Sequence, residues 1–83
     1  MKLGRIEVSG ITRIVINREF VWELREYRGL GEPVWVKIDG EGAWVFVRTP
    51  KEVRDMLDYM LARPEYRMWV HGDTLNIVKE SDV

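Results

Sequence analysis

Through the first half of the chain apolar residues alternate with polar ones at period two, and turn-forming residues separate the runs, so this half reads as a meander of short strands. Side-chain identity sets the register. With Asn17, Arg18 and Glu19 as a three-residue loop, Ile16 faces Phe20, Ile14 faces Trp22 and Arg13 faces Glu23. A three-residue loop at Ser9, Gly10 and Ile11 sets Ile6 opposite Ile14 and Glu7 opposite Arg13, whereas a two-residue loop would put Ile6 against Arg13. A one-residue slip turns every side chain to the wrong face, so burial selects the longer loop. Both registers give one face of Ile6, Val8, Ile14, Ile16, Phe20, Trp22 and Leu24, and an outer solvated row in which Arg13 stands between Glu7 and Glu23.

Arg28-Gly29-Leu30-Gly31-Glu32-Pro33 is a loop that redirects the chain. It is no phosphate loop, because it runs into a strand and lacks the Gly-Lys-Ser/Thr ending or the three spaced glycines of a nucleotide-binding turn. Residues 34–48 follow as a hairpin about Asp39-Gly40-Glu41-Gly42. Pairing Ile38 with Ala43 puts Val34, Val36, Ile38, Val45 and Val47 on one face and Trp35, Lys37, Trp44, Phe46 and Arg48 on the other.

A helix comes next. Thr49 caps it, Pro50 suits its first position because the missing N–H is unbonded there anyway, and Glu52 completes a capping box. Val53, Met56, Leu57, Met60 and Leu61 recur at helical spacing as a core-facing stripe. Lys51 with Asp55 and Arg54 with Asp58 form i,i+4 pairs outside it, and Pro64 ends the helix. The last element is a tight hairpin, Tyr66 to His71 and Thr74 to Val78 across Gly72-Asp73, with Tyr66, Met68, Val70, Leu75 and Ile77 on one face and Arg67, Trp69, His71 and Asn76 on the other.

These elements predict an α+β fold: a small antiparallel sheet of about seven short strands, strongly curled or barrel-like, with one amphipathic helix before the C-terminal hairpin and contacted by the aliphatic strand faces. Residues 1–80 form a single domain and 81–83 a loose tail. Composition then narrows the chemistry. With 83 residues and a net charge of -1 there is room for one modest core and no generally basic surface, and no apolar run approaches a membrane span. The N-terminus lacks the apolar stretch of a secretory signal, which makes an intracellular, cytoplasmic setting the expectation. Nine of the thirteen basic residues are arginine, glutamine and cysteine are absent, and only Asn17 and Asn76 carry side-chain amides. That bias resembles proteins of hot environments, where surface ion networks become more useful.

Without cysteine there is no disulfide, thiolate metal site or cysteine nucleophile. His71 is the sole histidine, and Asp73, across a two-residue turn, is better placed to support the turn backbone than to orient an imidazole. Asp39 and Glu41 are turn residues far from a calcium loop, so no catalytic residue, metal or cofactor is expected and no small-molecule substrate is implied. The methionines of the helix lie at core spacing, and its outer face mixes acids with bases, which rules out reading DNA with it.

Because the aliphatic faces and the helix stripe already supply a full core, Trp35, Lys37, Trp44, Phe46, Arg48, Arg67 and Trp69 are left as an aromatic and cationic surface, provided both hairpins share a sheet. Three readings are open for that surface. It is a second core layer inside a closed sheet, an interface for another copy or another protein, or a platform that stacks single-stranded DNA or RNA while its cations track phosphates. The expected function is a small non-catalytic interaction module that self-associates through this surface, with single-stranded nucleic-acid binding by the same residues as the alternative.

Overall fold

The protein is described by a computed structural model over residues 2–3, 6–7, 10–29 and 31–80, with 2–3 and 6–7 at the level of the backbone. The chain runs β1 (Lys2–Leu3), β2 (Ile6–Glu7), β3 (Arg13–Ile16), β4 (Phe20–Glu26), β5 (Pro33–Ile38), β6 (Trp44–Arg48), α1 (Pro50–Leu61), β7 (Tyr66–His71) and β8 (Thr74–Lys79). Strands β6-β5-β4-β3-β8-β7 form one sheet, and β1-β2 form a separate two-stranded ribbon. The α+β class and the helix before the last hairpin are as the sequence implies. The sheet has six strands rather than about seven, and it is open, with β6 and β7 as its edges, so it is not a barrel. It is also mixed, because β8 runs parallel to β3.

That parallel pairing overturns one expected hairpin. Ile6 pairs with Leu3 and Glu7 with Lys2 instead of lying against Ile14 and Arg13. The place beside β3 goes to β8, whose Leu75 and Ile77 stand opposite Ile14 and Ile16 and are fully buried. Two long apolar side chains gain more from the sheet centre than the short ribbon would. Val8, Ser9, Leu30 and the 81–83 tail lie outside the described residues.

The other registers follow side-chain type. Ile16 faces Phe20, Ile14 faces Trp22 and Arg13 faces Glu23. The last hairpin likewise pairs His71 with Thr74, Val70 with Leu75 and Met68 with Ile77. In the β5-β6 hairpin the turn at Asp39–Gly42 forms, but Val36 pairs with Val47 and Lys37 with Phe46, while Ile38 pairs with Trp44. Val45 is the extra residue of a bulge. Ile38 therefore does not meet Ala43, and Trp44 moves to the face of Ile38, away from that of Lys37.

Helix α1 starts as its sequence dictates. Thr49 and Glu52 exchange both capping-box hydrogen bonds, with Glu52 N–H donating to the Thr49 hydroxyl at 3.2 Å and Thr49 N–H donating to the Glu52 carboxylate at 3.1 Å. The bond from Thr49 N–H, and after it that from the Thr49 hydroxyl, which donates to the same carboxylate at 3.1 Å, hold the Glu52 carboxyl below its ordinary range. Lys51 meets Asp55 at 3.0 Å. The helix leaves the β6 edge and delivers the chain to the β7 edge. Twelve residues span about 18 Å and five strand spacings about 24 Å, so the helix lies across one face and its flanking residues complete the crossing. It buries Val53 and Leu57, with Met56, Met60 and Leu61 partly covered, on Ile14, Ile16, Trp22, Trp35, Leu75 and Ile77. At twelve residues it is too short to cross a membrane, and no other helix is present among the described residues.

Sheet parity follows from the pairing of Leu24 with Trp35. On the helix face stand Ile14, Trp22, Leu24, Trp35, Leu75 and Val70; on the outer face stand Val15, Val21, Glu23, Val34, Val36, Asn76 and Trp69. The β5-β6 hairpin thus sits the other way up from expectation, with its valines turned away from the helix and Trp35 turned under it. The loop from Tyr27 to Glu32 is long enough to allow either parity, and the two differ by one residue of slip.

Candidate functional site

The seven residues that sequence alone joins into one surface occupy four places. Trp35, 8% exposed, is part of the helix-side core and offers no surface. It shares the buried cluster with Val53 and Leu57 of α1.

Lys37, Phe46 and Arg48 do come together, on the helix face at the β6 edge. The Lys37 ammonium lies 4.4 Å from the Phe20 ring centre and 5.5 Å from that of Phe46, and the Arg48 guanidinium lies 5.4 Å from Phe46. Both cations are held over ring faces, where the ring quadrupole attracts them. Phe20 is the member that a strand-by-strand reading misses, because it arrives through the β4-β5 register, which pairs Trp22 with Lys37.

Trp44 stands on the outer face, where its ring meets Tyr27 at 6.2 Å between centres. Tyr27 comes from the end of β4 and Trp44 from β6, so the two rings close over β5, on the face that carries Val34 and Val36. These valines are 1% and 0% exposed although no helix covers them. The sheet is open, so no closed second core layer forms, and both rings remain about half exposed on the face of these two valines.

Arg67 and Trp69 lie on the outer face at the β7 edge, four strand positions from β5. They share neither face with Lys37, Phe46 and Arg48 nor edge with Trp44. Arg67 is bound to Glu80 at 2.7 Å, and Trp69 is 44% exposed.

The whole of β6 is exposed: Trp44 at 48%, Val45 at 49%, Phe46 at 46%, Val47 at 39%, and Arg48. Exposure on both faces of an edge strand leaves its outward backbone N–H and C=O groups open to pairing as well. The bulge and Arg48 blunt this edge at its ends, and nothing charged lies between them. Val45 and Val47 join the candidate surface on these grounds. Their signal in the sequence was the uncharged run Ala43 to Val47, which reads equally as a buried strand.

Two polar clusters serve the fold. Arg13 reaches Glu23 at 3.4 Å and Arg25 is bound to the same carboxylate, an ion row on the outer face. Asp73 accepts from the Thr12 hydroxyl at 2.6 Å and from that of Thr74 at 3.3 Å, while its carbonyl accepts from Thr12 and Arg13 N–H groups. The Thr12 bond, ahead of that from Thr74, holds the Asp73 carboxyl below its ordinary range. Its partners are these hydroxyls and not His71. Against protein-family models, curated proteins and solved structures alike, the chain shows no match.

Proposed function

We propose that the chain is a small non-catalytic interaction module of the cell interior that self-associates by adding the β6 strand of a second copy to its own sheet. The observation that carries this reading is the exposure of all five β6 residues, on both faces, along a free edge. A partner resting on one face would leave the other wet, whereas an added strand sets its side chains beside those of β6 on both faces and bonds the open backbone.

A second copy also fits the order of side chains. In an antiparallel pairing about a twofold axis at Phe46, Val45 meets Val47 of the other copy and Trp44 meets Arg48, an aromatic ring against a cation. Each half-exposed ring withdraws on the order of 100 Å² from water, about 2–3 kcal/mol. Four rings give about 10 kcal/mol against an association cost of about 4–15 kcal/mol, so the valines and strand hydrogen bonds tip the balance and the expected dissociation constant is on the order of micromolar.

Sedimentation equilibrium over a wide concentration range tests this. The parent should move from monomer to dimer mass, and Val45→Lys should stay monomeric with unchanged urea stability, because its lysine points into the joint and not into the core. A parent that is strictly monomeric at millimolar concentration ends the proposal.

A further inference from the structure

The β3-β4 turn has an unexpected residue at its tightest point. Glu19 N–H donates to the Ile16 carbonyl at 3.2 Å, and the two residues between, Asn17 and Arg18, have φ of 52° and 63°. Asparagine tolerates this left-handed region, but the second position favours glycine, and an arginine there strains the backbone. The turn is also locked in place. Asn17 N–H donates to the Ile77 carbonyl at 2.7 Å, and its side-chain oxygen accepts from Lys79 N–H at 2.9 Å. Parallel pairing of β3 with β8 thereby brings Arg18 beside the end of β8.

There it lines a groove with Arg67, Trp69, Val78, Lys79 and Glu80. Arg67 is neutralised by Glu80, but Arg18 and Lys79 are not. Among the residues whose side chains are described, every other basic side chain except Arg28 has a carboxylate, a ring or another bonded partner. The tryptophans divide in the same way: Trp22 and Trp35 are core, Trp44 lies against Tyr27, and Trp69 is half exposed with no ring beside it. One groove thus holds two unpaired cations and the one unoccupied indole of the described residues, in a chain whose net charge is -1.

We propose that this groove binds a single-stranded nucleic-acid segment, with a base stacked on Trp69 and backbone phosphates against Arg18 and Lys79. Stacking is sequence-tolerant and the cations follow the phosphates, the combination that single-strand binders use. Backbone strain at Arg18, where glycine would relax the turn, fits a side chain that acts through what it contacts. The site lies at the β7 edge, apart from β6, so it stands or falls independently of self-association.

The test is tryptophan fluorescence on titration with an oligothymidylate of about ten nucleotides, a length within the usual single-strand site size. The parent should be quenched, and two released counterions predict an affinity loss of about sevenfold between 50 and 200 mM salt. Trp69→Ala should abolish binding, while Trp44→Phe should keep both quenching and affinity. Arg18→Gly is the decisive variant: its thermal midpoint should rise as the turn relaxes, while affinity falls and the salt dependence drops to about half that of the parent. Absence of quenching at low salt, or unchanged affinity in Arg18→Gly, overturns the proposal. Thymidine monophosphate binding as tightly as the oligomer overturns it in favour of a free nucleotide.

Discussion

Strands β6 and β8 are both apolar, and by composition β6 is the more so: Trp-Val-Phe-Val-Arg against Thr-Leu-Asn-Ile-Val-Lys. Yet every residue of β6 is exposed, while Leu75 and Ile77 of β8 are at 0%. The difference lies in neighbours. Strand β8 has β3 on one side, β7 on the other and the helix-side cluster beneath; β6 has only β5, and the helix starts from its end and crosses away. Hydropathy therefore states what a strand would gain from cover, and topology decides whether the same chain supplies it. Where it does not, as along β6, the gain remains available to another molecule.

The largest effect that should separate the two strands is on stability. Leu75→Ala opens a cavity in a fully buried site and should cost about 2–5 kcal/mol, whereas Val47→Ala trims an exposed edge residue and should stay within about 0.5 kcal/mol. Urea unfolding of both variants, below the concentration at which copies associate, measures the contrast. Losses of similar size would mean that β6 is covered within the monomer.

The same contrast explains which features the sequence made legible. The registers of the β3-β4 and β7-β8 hairpins were readable, because a slip would have set Ile14 against a charged residue or moved Leu75 to the wet face, whereas that of the β5-β6 hairpin was not, since the bulge at Val45 shifts its pairing. The capping box of Thr49 and Glu52 was equally readable, since all its partners lie within four residues. Relations between hairpins were not. Nothing local says that β8 displaces the N-terminal strand from β3, or that the loop after Tyr27 turns the β5-β6 hairpin over. The candidate surface failed at the same joints. Trp35 went to the core with the flip, Trp44 changed face with the Val45 bulge, and Trp69 stood at the far edge once β8 had taken the centre. Lys37, Phe46 and Arg48 stayed together because one hairpin contains them all.

Trp44 offers an intermediate effect that sharpens the contrast between dense and thin cover. The helix-side core is several side chains deep, whereas Val34 and Val36 lie buried on the face away from the helix, the face that carries the Trp44 and Tyr27 ring pair. Trp44→Ala should cost about 1–2 kcal/mol, more than trimming an edge residue and less than Leu75→Ala, because it loses half-buried ring area and wets two valines. Amide exchange of Val34 and Val36 should accelerate in this variant while that of Leu75 and Ile77 follows only the global loss. Unchanged exchange at the two valines would show that the rings do not roof them.

The smallest effect concerns how the turns of the two hairpins are tied. Asp39 serves its own β5-β6 turn, accepting from Glu41 and Ala43 N–H groups at 2.8 and 2.9 Å. Asp73, in the β7-β8 turn, accepts from Thr12 at 2.6 Å, 61 residues away, and so ties that hairpin to the entry of β3. The Thr12 hydroxyl favours the charged carboxylate and lowers its pKa in the folded chain. A folded pKa below the unfolded one means that the unfolded chain binds the proton more readily in acid, so the bond's contribution is complete above the ordinary carboxylate range and is lost as the pH falls through the folded pKa. Thr12→Val removes the main cause of that depression. The folded Asp73 should then titrate closer to an ordinary aspartate, and the acid decline in urea midpoint should become shallower, with the part due to Glu52 left in place. Asp73→Asn should flatten the acid limb somewhat further than Thr12→Val, since it also removes the smaller share that comes from the Thr74 hydroxyl. An acid limb unchanged in both would mean that the contact between Thr12 and Asp73 orders the turn without linking its stability to protons.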